Sequence, residues 1–201
     1  MAEDIKTEEK IKNAAIKLFQ QRGFAGTKTR DIAQEAGINI ALLNYYFRSK
    51  EKLFDIVMEE SLRKIFFGMR DVFKKPTFED KLEGIVNNYI DVLQTNPDLP
   101  LFVFSEIQAG ATGFLKKAGI PSDFIFENPF MQQLKEELKV ENPLQIILNI
   151  LALVIFPFLA KPLWMRLTDI NEDEFAAFIE ERRSLIPGWI KLIINTNTDS
   201  I

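Results

Sequence analysis

TKTRDIAQEAGINIALLNYYFRSKEK, Thr27 to Lys52, decides how the rest of the chain is read. Ile32, Ala33 and Ala36 fall on one face at helical spacing, and Leu42, Leu43 and Phe47 resume an apolar stripe after a gap. Gly37 stands in the gap, where a tight turn needs a positive φ that most residues resist. Small Ala33 lets the two helices cross closely. With Ile38 as a buried turn residue, the pattern predicts a helix-turn-helix, whose second helix enters a DNA major groove. Lys28, Arg30, Asn39, Asn44, Tyr45, Tyr46, Arg48, Lys50 and Lys52 are polar, cationic or aromatic, and no acid lies between Glu35 and Glu51. That surface suits nucleic acid. The plain alternative is a helical hairpin inside a larger bundle.

Charge is distributed unevenly around this stretch. Residues 1–52 hold ten Lys/Arg against seven Asp/Glu, while residues 53–201 hold fifteen against twenty-two, within a net charge of −4. A basic head on an acidic body suits a protein that offers one end to phosphate, rather than a general polyanion binder. Cysteine and histidine are absent, so disulfides, thiol nucleophiles and the commonest general base and metal ligand are excluded. No Gly-rich phosphate loop or metal-ligand cluster is present. An enzyme is therefore not expected, nor a cofactor or a metal. MAEDIKTEEK carries no signal-peptide pattern, and a cytoplasmic protein is expected.

The periodicity predicts an all-α chain of about nine helices. The first spans residues 7–22 and stops at Gly23, with Phe24 as the apolar contact of a Schellman motif. Thr29 is the expected N-cap of the second helix, and Ser49 that of a fourth over Lys50–Phe73. Lys50 and Lys52 in its first turn oppose the helix dipole. A docked phosphate would resolve that conflict; so would Glu51 beside solvated lysines. Further helices are expected over 77–95, 97–109, 129 to about 138 or 140, and 143–164, with a loop over 119–129. The segment from Pro143 is apolar all round, but Gln145, Asn149 and Pro157 interrupt it, and a buried bundle helix is a simpler reading than a membrane span. Pro157 is expected to kink or end it, and Pro187-Gly188 to break the last helix, which begins near Asn171.

The run GFAGTKTRDIAQEAGI followed by ALLNYYFRSKEKLF resembles the tetracycline-repressor (TetR) family of bacterial transcriptional regulators, over roughly residues 7–58. The resemblance implies an N-terminal three-helix DNA-binding domain, taken as 1–52, and a C-terminal helical bundle, 53–201, for effector binding and homodimerisation. It implies that Thr29, Arg30, Asn39, Asn44, Tyr45, Tyr46 and Lys50 face DNA, with Lys28 beside them. Thr29, Tyr46 and Lys50 would meet phosphates; Arg30, Asn39, Asn44 and Tyr45 would reach base edges. Asn44 departs from the family, where many members have Tyr, and asparagine can bind adenine bidentately.

Eighteen phenylalanines are a heavy aromatic load. Phe66, Phe102, Phe104, Phe126, Phe130, Phe156 and Trp164 are candidates to line an effector pocket, or else are core and dimer packing. Few charges fall among these apolar faces, so the expected effector is small and hydrophobic. The function implied is a repressor released by that effector from a palindromic double-stranded operator. The alternative is a ligand-binding or protein-interaction module of the same fold without strong DNA binding.

Overall fold

A computed structural model describes the backbone over residues 2–117 and 127–198, and the side chains there outside 2–4, 64–67, 109, 111–117 and 197–198. Ten helices follow in order: α1 (Ala2–Gly26), α2 (Thr29–Glu35), α3 (Ile40–Phe47), α4 (Lys50–Val72), α5 (Phe78–Thr95), α6 (Leu99–Lys117), α7 (Pro129–Glu136), α8 (Pro143–Leu159), α9 (Lys161–Thr168) and α10 (Glu172–Thr198). The chain forms two compact units, Met1–Arg63 with Leu101–Ile120, and Lys64–Pro100 with Pro121–Ile201. The loop expected over 119–129 lies mostly outside the described residues, as do the side chains of Phe66 and Phe126.

The first unit is built on the apolar positions named from the sequence. Ile11, Ala15 and Phe19 of α1, Ile32 of α2, Leu43 of α3 and Leu53 of α4 have no exposed surface. Phe54 organises an aromatic cluster, with Phe19, Phe24 and Phe102 rings at 4.9, 4.8 and 5.3 Å, each edge-on. Lys12 is 8% exposed. Burial alone would lower its pKa, but bonds to Glu9 and Glu60 prevail and hold it above the ordinary 10.5.

In the second unit α5 packs on α8 and α10. Leu82 and Val86 of α5, Ile146 of α8, and Ile186 and Ile190 of α10 have no exposed surface. Phe78 and Phe130 stack at 5.1 Å and tie α7 to α5. This unit also buries a charge, contrary to expectation: Lys81 is 5% exposed, and its Nζ donates to Gln133 Oε1 at 2.9 Å.

Several boundaries differ from the sequence reading. α1 runs over Ala2–Gly26 rather than 7–22, with Gly23 at φ 66° as a kink inside it rather than its end, and α6 runs over Leu99–Lys117 rather than 97–109. The α2 N-cap is Lys28, not Thr29; the Lys28 N–H donates to the Asp31 carboxylate at 3.4 Å, and Thr29 is the first helical residue. The eighth helix splits in two, giving ten rather than nine: α8 stops at Leu159, Ala160 leaves helical geometry, Pro162 sits in the first turn of α9, and the axis bends by 62°. No single described helix is long and apolar enough to cross a membrane, although α8 and α9 would together pass on length and composition. Finally, α10 runs unbroken through Pro187. Proline forbids a backbone donor but keeps a helical φ, and buried Ile186, Ile190 and Ile194 on one face hold the helix together across it.

Gly37 adopts φ 67°, and a Cβ there would meet nothing within 4 Å. Its substitution by alanine thus isolates backbone strain: Gly37→Ala should cost about 1 kcal/mol in denaturant unfolding, with Gly37→Asn costing less. On α10, Arg183 donates to Glu180 at 2.9 Å and to Asp91 at 2.8 Å, while Gln94 donates to Glu180 at 2.9 Å. Arg183, then Gln94, hold the Glu180 carboxyl below its ordinary 4.5. A depressed carboxylate stabilises in full above its unfolded value, and the contribution is lost as pH falls through the folded one. Glu180→Gln should therefore cost roughly 0.5 kcal/mol at neutral pH, a modest figure because the pair is exposed. The gap to the parent should close in acid, below 4.5; a gap independent of pH would show that the carboxylate charge is not what matters.

Candidate nucleic-acid interface

The α2–α3 connection is a Schellman stop. The Ile38 N–H donates to Ala33 O at 2.9 Å and the Gly37 N–H to Gln34 O at 3.1 Å, which closes the end of α2 and turns the chain. Asn39 then caps α3, its side chain accepting from the Leu42 N–H at 2.8 Å. Its Oδ1 is thus engaged in capping, and its amide NH₂ is the part left to offer a ligand.

Once Leu43 and Phe47 are buried, helical geometry decides what α3 exposes. Ala41, Asn44, Tyr45 and Arg48 share the outer face, all exposed. Tyr45 is 78% exposed, an unusual place for a large amphipathic ring unless a partner covers it. Tyr46 is half-buried, its ring 5.4 Å from Tyr45 and 6.4 Å from Phe47. Lys28 and Arg30 are exposed on α2, and Thr29 is half-buried. The structure thus gathers Lys28, Thr29, Arg30, Asn39, Asn44, Tyr45 and Tyr46 on the short α2–α3 pair.

Lys50 is placed differently. Its Nζ donates to Phe24 O at 3.0 Å and Thr27 O at 3.1 Å, and lies 4.0 Å from the centre of the Phe24 ring. The conflict between a lysine and the start of α4 is met from inside the protein: the ammonium turns to carbonyls at the end of α1, where the dipole is negative. Ser49 caps α4 by accepting from the Lys52 N–H at 3.2 Å. Thr27 below is buried, and its hydroxyl lies 2.8 Å from Gly23 O and 3.1 Å from Leu18 O.

Arg48 was named in the sequence only as one of several polar residues. It has φ 62° and ψ −43°, and the Ser49 N–H donates across it to Phe47 O at 2.6 Å. This is a strained γ-turn at the exit of α3, and it aims a cation outward. No pattern of residue types announces a left-handed arginine.

The described effector candidates are divided between the two units and between core and surface. Phe102 is in the core of the first unit and Phe130 in that of the second. Phe104, Phe156 and Trp164 are 53%, 56% and 39% exposed. Two grooves of about 410 and 370 Å³ lie along α1 and α2, lined by residues such as Lys17, Arg22, Asp31 and Glu35, and none of the aromatic candidates lines either.

A short capped helix held on a tight turn, with an exposed amide, phenol and guanidinium row on its outer face, defines a helix-turn-helix DNA-binding protein, here with an all-helical C-terminal part. Residues 11–57 match the sequence model of "Bacterial regulatory proteins, tetR family". Over these residues the chain is similar to the DNA-binding part of that family, and it is a DNA-binding transcriptional regulator. It is 26% identical over 206 residues to "Probable HTH-type transcriptional regulator YttP" of Bacillus subtilis (strain 168), covering 96% of each chain. Over 54 residues it is 43% identical to the HTH-type transcriptional repressor NicS of Pseudomonas putida, covering 27% of this chain and 26% of that one. Its fold is similar to that of HlyIIR, a hemolysin II transcriptional regulator, with TM-score 0.60, 24% identity and coverage of 90% and 97%. It is also similar to the fatty acid degradation regulator FadR from Bacillus halodurans, with TM-score 0.59, 16% identity and coverage of 90% and 97%.

The salt dependence of DNA binding separates the two roles open to Lys50. Each phosphate contact adds about 0.9 to the slope of log K against log salt. Lys28→Ala should lose roughly that amount at unchanged thermal stability. Lys50→Met should instead lower the melting temperature by about 3–6 °C, from ~1.5 kcal/mol of carbonyl and ring contacts, and weaken binding by a similar factor at every salt concentration. A Lys50→Met variant that melts like the parent but loses slope would make Lys50 a phosphate ligand first.

Proposed function

We propose that the chain is a homodimeric repressor whose grip on a palindromic operator is released by a small hydrophobic effector. The observation that carries the DNA half is the outer face of α3, where Asn44, Tyr45 and Arg48 stand clear of the protein in one row. Asn44, Tyr45, Arg30 and the amide of Asn39 would reach base edges, with Asn44 suited to adenine. Lys28, Thr29 and Tyr46 would hold phosphates, joined by Lys50 only through the one ammonium proton its two carbonyl bonds leave over. The alternative of a binding module without DNA contact is not favoured, because nothing in the packing of α3 requires this exposed row.

The dimer half rests on two apolar stripes. On α8, Leu144, Leu148, Ala152 and Phe156 recur every fourth residue and are exposed; on α10, Phe178, Leu185 and Leu192 recur every seventh and are 40%, 37% and 64% exposed. A second copy pairing the same two helices buries both stripes at once in a closed, two-fold contact. Two-fold symmetry then requires an operator with two inverted half-sites, about one DNA turn or 34–36 Å apart. An effector held in the C-terminal part acts by preferring the dimer whose half-site spacing does not fit. The reaction is binding alone, so no catalytic role is proposed, and the protein works in the cytoplasm with the DNA it regulates.

Selection of duplexes from a random library by the purified protein tests this reading directly. An enriched inverted repeat is expected, and small hydrophobic molecules that raise the melting temperature should release the selected duplex. No enrichment at low salt from folded protein would defeat the operator reading. Enrichment of a single half-site would defeat the dimer.

A further inference from the structure

Pro157 leaves a gap in the hydrogen bonding of α8. In an α-helix the carbonyl of each residue accepts from the N–H four residues on. For Leu153 that residue is Pro157, which has no N–H and whose ring pushes against the carbonyl. The helix continues to Leu159 all the same, with Pro157 buried. The orphaned carbonyl is met from another helix: Arg182 Nη2 of α10 donates to Leu153 O at 2.7 Å.

The surroundings of Arg182 make this bond more than a surface contact. The guanidinium lies 5.6 Å from the ring centre of Phe178 and 5.3 Å from that of Trp189. Its Nε is buried and donates to no oxygen among the described residues. Desolvation holds its pKa below the ordinary arginine value. Along α10, Phe178, Arg182, Leu185, Trp189 and Leu192 follow one another at steps of three and four, so Arg182 stands inside the exposed apolar stripe. The carbonyl it reaches belongs to the residue after Ala152, within the stripe of α8. One cation therefore sits in the middle of an otherwise apolar face, and its bond is spent on repairing the backbone.

We propose that Arg182 is a positioning residue for the α8–α10 surface on which a second copy of the chain docks: it supplies the hydrogen bond that Pro157 removes and so fixes the course of α8 against α10. The proposal rests on the reading of that face as the dimer surface. A second copy closing over it would exclude the water that competes for the Leu153 carbonyl, so the bond and the dimer favour each other.

A double-mutant cycle on the full chain tests this, because Pro157→Ala restores the missing donor. The parent, Arg182→Met, Pro157→Ala and the double variant are compared by thermal unfolding and by sedimentation across a concentration series. Arg182→Met is expected to weaken dimerisation about tenfold in the parent and to lower its melting temperature, with Arg182→Lys recovering part of both. In the Pro157→Ala background the same change should have little effect on either. Equal losses in both backgrounds would overturn the proposal, since Arg182 would then act through something other than the Leu153 carbonyl. So would a parent-background Arg182→Met that dimerises normally. A parent that stays monomeric would overturn the dimer reading and the positioning role with it. The thermal cycle still reports the Arg182–Leu153 coupling in that case and tells the two failures apart.

Discussion

A helix of eight residues does not persist alone in water, so everything α3 exposes depends on how it is held. The holding is done by one crossing. Ile32 and Ala33 on α2 and Leu43 and Phe47 on α3 are all nearly or fully buried, and the left-handed Gly37 lies in the four residues that separate the two helices. Burying one face of so short a helix fixes the other face by geometry alone. Asn44, Tyr45 and Arg48 need no contacts of their own to point outward. The chemistry of recognition and the packing of the turn are therefore one constraint seen from two sides.

Electrostatics in the first unit follow the helix ends. Lys50 spends its charge on the carbonyls of Phe24 and Thr27, and Lys12 spends its own on Glu9 and Glu60, so two cations of the basic head are structural. The excess of positive charge counted over residues 1–52 overstates the cations left unengaged at the surface. Lys17 and Arg22 pair with Glu35 and Asp31 as well. On and beside the α2–α3 pair a smaller set faces solvent, Lys28, Arg30, Arg48 and Lys52. Specific recognition needs such a local set more than it needs net charge, which matches an acidic protein that binds DNA.

Much of this was legible beforehand, and what was not has physical causes. Gly37, Gly23 and the Ser49 cap were readable because each answers a local backbone demand that few residue types meet. The Lys28 cap was not, because its partner is the Asp31 side chain acting on a backbone N–H, for which Lys28's own side chain gives no sign. The kink or end expected at Pro157 falls three residues later, at Ala160, just before Lys161 and Pro162. The buried Lys81 was missed because its partner Gln133 is fifty-two positions away, beyond any local pattern. For the recognition face, the sequence identified the residues that are exposed, but it could not separate Lys50, turned inward by the end of α1, from lysines that face solvent.

The prolines and aromatics make a sharper point. Local rules expect Pro157 to kink or end its helix and Pro187-Gly188 to break the last one, and both helices continue past their proline. At Pro187 the burial of Ile186 and Ile190 on the same face carries the helix across the gap; at Pro157 a cation from α10 fills it. Both repairs are tertiary, so no window of sequence around either proline contains them. Aromatic content misleads for a related reason. Core, pocket and interface all favour phenylalanine, and composition cannot tell them apart. Exposure combined with spacing can. Phe54 and Phe102 close a core and vanish from the surface, whereas Phe178 recurs with Leu185 and Leu192 at intervals of seven and stays in view. Three exposed apolar positions two heptads apart from end to end are what the proposed helix-to-helix contact would cover.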